Sequence, residues 1–451
     1  MRVLSPLSLL LICWSLSLAI AALALTSPRA FDLLPTFMAR EDLTLAAFRP
    51  LGALWLITAL AAWSVGDLAA RSALPRHRPR RTPPNHSRAA RLTFLANLIL
   101  LGTTLLWVTL TALQLGGFRQ LLILTAAETL SARDYLLQNK LFTGMRLFYA
   151  ALPATGCLAA ALLASRYLAR RERHLCRLTL ILNAVALALL PIVMSQRLLL
   201  LQFTLSAYLV TCLMRRRLVA LPWLIIGTAL FLAVWTLREA LTNPSISTEA
   251  LPVGLQKLAF YVVNDLWNAV APLSADTPLT WGGITLHGLA VLTFTDGIVD
   301  QALAPLTPAL DAIKGGGDFP LLTAPFVDFG PFGGAIFLLL TGFLLRVLFH
   351  RAQSTLLGAA TYAQLGAALL FSSHAPYLLH QNLLASLLVL TLICRLSPAP
   401  RRARPMPRRT LPATPARPPV RQSIAARSSA VSERSGMAQA RRFPARTFDP
   451  Q

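Results

Sequence analysis

The chain has 451 residues, 55% of them hydrophobic and only 13% charged, and 42 Lys and Arg against 18 Asp and Glu give a formal charge of +24. A soluble domain ordinarily has about a quarter of its residues charged. That reading is excluded, and apolar runs near the twenty residues needed to cross a bilayer predict an all-α polytopic membrane protein.

Ten spans are predicted, at 4–25, 50–68, 92–115, 147–168, 178–194, 198–214, 218–237, 333–349, 355–372 and 383–394. The last is short and can be taken to begin near Tyr377. The first could instead be a secretory signal, since Met1-Arg2 and the Ala-rich stretch from Ala21 to Ala24 suit one. Its apolar length exceeds the usual core of such signals, which favours a retained helix. In between, 1–237 holds seven spans, 238–332 forms one large outer loop, 333–394 holds three spans, and 395–451 is a tail.

Alternate connections are basic. Arg71, Arg76, Arg78, Arg80, Arg81, Arg88 and Arg91 fill one, Arg166, Arg170, Arg171, Arg173 and Arg177 the next, and Arg215, Arg216 and Arg217 a third. Cytoplasmic loops retain Lys and Arg during insertion, so these loops are placed inside, with both termini. This puts 31 bases and four acids inside, leaving 11 bases and 14 acids outside.

The turn after the fifth span is only Ser195-Gln196-Arg197, so Arg197 falls at the outer edge of the bilayer. Arg238 occupies the equivalent depth at the end of the seventh span. Snorkelling or a phospholipid would satisfy Arg197, and Glu239 would satisfy Arg238. Together, two guanidiniums at headgroup depth would clamp a diphosphate, a bidentate pairing that lysine reproduces poorly. Such a clamp suits displacement of a polyprenyl diphosphate, whose developing charge needs stabilising.

The stretch from Arg238 to Asp328 carries nine Asp or Glu against three Lys or Arg, a net charge of −6. Half of all the acids lie here, which marks the loop as extracytoplasmic. Within it, 255–273 has apolar residues at helical spacing and is expected to lie on the membrane as an amphipathic helix, with Tyr261 and Trp267 at the interface. Residues 282–295 are apolar enough to dip into the bilayer but too short to cross it. Lys314 precedes Gly315-Gly316-Gly317-Asp318, which lacks phosphate-loop order and reads as a flexible hinge. Lys314, Asp318 and His287 are candidate substrate contacts.

Chemistry at a hydroxyl would need a positioned side chain to take its proton. Asp296, Asp300, Asp318, Asp328 and His287 are available in the loop, and His374 and His380 flank the last outer turn. Asp328 and His374 rank first because both abut spans that return to the core. Each has an ordinary alternative, a solvated His or an acid that keeps the loop soluble. The five Cys and seven His show no metal-site spacing, so no metal and no cofactor is expected. Cys13, Cys157, Cys176, Cys212 and Cys394 all fall in spans or at cytoplasmic ends, so disulfides are not expected either.

The tail holds thirteen Arg, ten Pro and two acids in 57 residues and cannot bury a core. It reads as a disordered extension on the anionic inner leaflet, with no nucleic-acid module.

The sequence Val327-Asp328-Phe329-Gly330-Pro331-Phe332-Gly333-Gly334, running into an apolar span, resembles the segment with which the late outer loop re-enters the membrane in oligosaccharide repeat-unit polymerases, the O-antigen polymerase family. The short Ser195-Gln196-Arg197 turn, the large loop several spans later and the inside termini occur in the same order, across about 178–394. Family members often place an Asn-Thr pair before the Asp-Phe-Gly segment, whereas here the Gly-rich 314–323 intervenes.

The resemblance implies a GT-C-like fold and a metal-independent, inverting glycosyltransferase of the bacterial inner membrane. It would join undecaprenyl-diphosphate-linked oligosaccharide units on the periplasmic face and release undecaprenyl diphosphate. Arg197 and Arg238 would bind the diphosphate, and Asp328 would serve as base or as a structural acceptor holding the loop. Membrane lipids, a flippase and a chain-length regulator are the partners it implies. An O-antigen ligase would share these features and differ in acceptor. A mannosyltransferase-type enzyme would place its acids in the first outer loop, where Arg40-Glu41-Asp42 stands, and a transporter or flippase would show repeated halves and charged residues within spans.

Overall fold

A computed structural model describes residues 2–41, 43, 50–75, 86–127, 135–142, 144–165, 168–194, 196, 198–218, 221–242, 251–270, 277–352 and 354–397. Arg197, Ser195, Asp42 and the tail from residue 398 lie outside the described residues.

Among the described residues every regular element is helical. In chain order they are α1 (Pro6–Thr26), α2 (Leu34–Arg40), α3 (Pro50–Ala73), α4 (His86–Gln114), α5 (Phe118–Ala127), α6 (Arg146–Ala150), α7 (Leu152–Ala164), α8 (Arg170–Met194) and α9 (Leu198–Arg215). There follow α10 (Leu221–Thr242), α11 (Val253–Val270), α12 (His287–Leu292), α13 (Asp296–Leu303), α14 (Thr307–Ile313), α15 (Ala324–Ala352), α16 (Leu356–Leu369) and α17 (Gln381–Arg395). Among the described residues eight helices, counting α6 with α7, are long and apolar enough to cross a membrane, the architecture of a multi-pass membrane protein. The ninth and tenth predicted spans are α16 and α17, of only 14 and 15 residues, shorter than a full crossing.

Helix α7 is the axis of the bundle. Its sequence LPATGCLAAALLA is mostly small, and α4, α8, α9, α16 and α17 surround it. In lipid, where apolar burial gains little, such helices associate through close backbone approach and a few polar bonds. Both are present: a Cβ at Gly156 would overlap the Phe203 ring, and Thr155 donates to Asn97 Oδ1 of α4 (2.8 Å) while accepting from Asn183 Nδ2 of α8 (3.0 Å). Gln364 of α16 accepts from Gln202 of α9 at 2.8 Å and donates to the Pro153 carbonyl at 3.0 Å. At one end of the bundle Trp14 and Ser17 of α1 bond Ser372 and Ser373 at 3.2 and 2.8 Å, docking α1 on the turn that follows α16.

Helix α15 crosses α3 so closely that glycine is required on both sides. A Cβ on Gly66 would strike the Leu339 carbonyl, and one on Gly342 the Trp63 carbonyl. At the same crossing Asp67, fully buried, meets Arg71 at 2.6 Å and Arg346 of α15 at 3.9 Å.

α15 starts at Ala324, ahead of the predicted 333, and is broken at Gly330, whose φ of 70° falls in the left-handed region open to glycine. Pro331 supplies the reason for the break. It has no N–H to give the Val327 carbonyl one turn back. That carbonyl accepts instead from Thr280 N (3.2 Å), and the Asp328 carbonyl accepts from Trp281 N (3.0 Å). The kink thereby captures the segment that leads into α12.

Two stretches of the loop form helices. The helix predicted to lie on the membrane forms as α11, but α1, α2, α3 and α10 cover it, and Phe260 and Val263 pack with Ala24, Phe31, Leu34 and Phe37. Within 282–295, His287–Leu292 forms the six-residue α12, seated against the start of α17 with Gly288 on the Leu379 carbonyl.

Candidate functional site

The α11 face turned toward the loop is polar. Asn264, Asp265 and Asn268 are all buried, at one-residue and three-residue spacings that put them on one side of the helix. Asn268 holds the glycine run from both directions: its Oδ1 accepts from Gly315 N (2.8 Å), and its Nδ2 donates to the Gly316 (3.1 Å) and Asp318 (3.3 Å) carbonyls. Asn264 also donates to the Gly316 carbonyl. A Cβ at Gly315 would overlap Asn264, and one at Gly316 would overlap the Glu41 carboxylate. The glycines, read as a hinge in the sequence, are demanded by close approach, and α11 anchors them.

Beside this loop, His374 Nδ1 lies 2.9 Å from Asp265 Oδ2. Asp265 is 7% exposed and His374 35% exposed, so the carboxylate sits behind the ring and the ring faces open space. Helix α11 supplies the carboxylate, and the turn between α16 and α17 supplies the imidazole. Tyr261, one turn before Asp265, stands edge-on to the His374 ring (6.5 Å, 90°) and to Trp235 of α10 (5.6 Å, 88°).

Burial raises the Asp265 pKa; the hydrogen bond and charge of His374 pull it back, and Asp318 pushes it up again. Burial acts to lower the pKa of His374, but the hydrogen bond and charge of Asp265, with Asp318 behind them, outweigh it and the net shift is upward. A carboxylate on Nδ1 fixes the tautomer and points Nε2 outward, the arrangement of an imidazole that can take a proton.

The other predicted residues fall as follows. Asp318 is exposed and acts on both members of the pair through its charge. Lys314 is engaged locally, donating to the Gly317 carbonyl (2.8 Å), near Asp311 (3.5 Å) and over the Phe319 ring (5.5 Å). Arg238 is 6% exposed, three residues past Trp235 and hence on the same face of α10, while Glu239 meets Lys257 of α11 at 3.2 Å. His287 bonds the exposed Asp300 at 3.0 Å.

Asp328 is fully buried. Its Oδ1 accepts from Thr280 Oγ1 and Ile284 N (3.0 Å), and its Oδ2 from Thr285 N (2.7 Å). Of the two roles open to it, this geometry is that of an acceptor holding the loop.

Sequence reasoning did not single out Asp265, which lies within the predicted amphipathic helix 255–273. The signal was present: three polar residues at 264, 265 and 268 interrupt a stripe that has no other reason to carry them. Among the described residues no three His, Cys, Asp or Glu gather as a metal-binding group. No family model, no curated protein and no solved structure matches this chain.

Proposed function

We propose that the protein is an inverting glycosyltransferase that polymerises undecaprenyl-diphosphate-linked oligosaccharide units at the face of the inner membrane where the acidic loop lies. The observation that carries the reading is the His374–Asp265 pair, buried behind and open in front, beside the loop anchored on α11. In the transfer, the acceptor sugar hydroxyl attacks the anomeric carbon of the donor and its proton passes to His374 Nε2. The bond from that carbon to the diphosphate oxygen breaks, and the electron pair leaves with undecaprenyl diphosphate. Asp265 orients the imidazole and offsets the charge it gains. Arg238 on α10 and Arg197, which follows α8 in the chain, bind the departing diphosphate. Asp328 is a positioning residue that keeps 280–285 on the kinked end of α15.

The test is genetic. A deletion strain is complemented with wild type, His374→Gln, Asp265→Asn and Arg238→Ala, and surface polysaccharide is resolved on a gel. Loss of long chains with the single-unit product retained is expected. Loss of all capped product would assign a ligase or flippase instead, and an unchanged ladder in His374→Gln would remove the proposed base.

A further inference from the structure

The segment captured by the kink of α15 makes a tight turn at 280–283, closed by Gly283 N on the Thr280 carbonyl at 2.9 Å. Both central residues, Trp281 and Gly282, have positive φ, 51° and 93°. Glycine, asparagine or aspartate ordinarily fills the first of these places, because a bulky side chain there is strained. Here the place holds an indole, and burial does not compensate for it: Trp281 is 78% exposed. An exposed tryptophan on strained backbone points to a contact outside the fold.

Its position says what that contact is. In an unbroken helix the Asp328 carbonyl would accept from Phe332 N, four residues on. Trp281 N takes that carbonyl instead, at 3.0 Å, and so stands level with Phe332. Phe332, 86% exposed, heads a row of exposed apolar side chains, Phe332, Ile336, Leu340 and Leu344, at four-residue spacing along one face of α15. Since α15 is long and apolar enough to cross the membrane, this row is its lipid face. Leu279, also exposed, lies against the kink, 3.8 Å from where a Cβ would stand on Gly330. No residue from Leu279 to Leu286 is charged. The turn therefore continues the lipid face of α15 onto the loop.

We infer that this turn is a bilayer anchor. Trp281 lies in the membrane interface on the side of the loop, its ring among the upper acyl chains beside Leu279 and Phe332 and its N–H toward the headgroups. The partner is the lipid surface itself, met by apolar area and depth and not by headgroup charge. The anchor sets the height of the loop, because the same segment carries Thr280, Ile284 and Thr285, the donors to Asp328. The inference does not depend on the protein being a glycosyltransferase.

The full chain is reconstituted in phosphatidylcholine vesicles, either plain or brominated near the top or near the end of the acyl chains, and the tryptophan fluorescence of wild type is compared with that of Trp281→Phe. The difference between the two proteins is the Trp281 signal. Bromine near the top of the chains is expected to lower this signal about twofold or more against plain vesicles, and bromine near the chain end to lower it less. Acrylamide in the water is expected to leave it largely intact. Trp223→Phe removes an exposed indole on α10, a candidate span, and calibrates quenching from lipid. A Trp281 signal equally bright in plain and brominated vesicles overturns the inference. A signal that acrylamide removes also overturns it and leaves the ring to an aqueous ligand such as a sugar. Should Trp281→Phe fail to fold, wild type alone decides: a carbene precursor dissolved in the lipid must label Trp281 on illumination, and labelling confined to the spans overturns the anchor.

Discussion

His374 Nδ1 stands 2.9 Å from Asp265 Oδ2, joining two residues 109 positions apart in the chain. The pairing ties α11, in the loop, to the turn that closes the last two helices, and it gives the imidazole a raised pKa in spite of its burial.

The pH profile should report that shift. A base must be neutral to work, so activity is expected to fall as pH drops through a value above the ordinary imidazole 6.5. In Asp265→Asn the group that raises the pKa is gone and burial remains, so the acid limb moves to lower pH while the maximal rate drops about a hundredfold or more. Initial rates of chain extension from pH 5 to 9 give both quantities. An acid limb at the same pH in the two proteins would remove His374 from the proton path.

Stability carries the same sign. Both partners have folded pKa values above their unfolded ones, so each holds its proton more tightly in the native state. Their contribution is present below the unfolded values and is lost as pH rises through the folded ones. The difference in Tm between wild type and His374→Gln is therefore expected to be largest near pH 5 and to shrink toward pH 9, as read by thermal unfolding in detergent.

Asp328→Asn replaces one acceptor oxygen by an amide that faces N–H donors at Ile284 or Thr285. Leaving a buried donor unsatisfied costs roughly 1–3 kcal/mol. The loss should appear as faster amide exchange confined to 280–286, with activity lowered and the acid limb unmoved. A shifted limb would instead make Asp328 a proton carrier.

Gly316→Ala tests the anchored glycine run. Its Cβ would overlap the Glu41 carboxylate, so either that side chain swings aside or the loop shifts on α11. Pairing the substitution with Glu41→Ala should recover most of the lost activity if that overlap is the cause. Gly297→Ala, where a Cβ meets only open space, is the control and should be silent.

Much of the bundle was legible as sequence, because lipid-facing helices advertise themselves by length and apolarity. Helix α7 was found although its neighbours hide it from lipid, since small apolar residues satisfy both the composition test and the packing. α16 and α17 fall in the last two predicted spans, the second of which is already short in the sequence. The site divides the same way. His374 was chosen for abutting a returning span, yet Asp265 looked like one more turn of an amphipathic helix until the fold put α1 and α10 around it. Asp328 was legible as a residue and not as a role, since only the Pro331 break shows which donors it collects. Arg197 lies outside the described residues, and its part in diphosphate binding rests on sequence.

The break at Gly330 makes α15 a jointed rod. Its long arm is clamped to α3 by Gly66, Gly342 and the Asp67–Arg346 contact, while its short arm belongs to the loop through Asp328. Bilayers of different thickness tilt a long helix to different degrees. A joint between the arms lets the long one lean with the lipid while the short arm keeps its place, so changes in membrane thickness need not be transmitted to the loop.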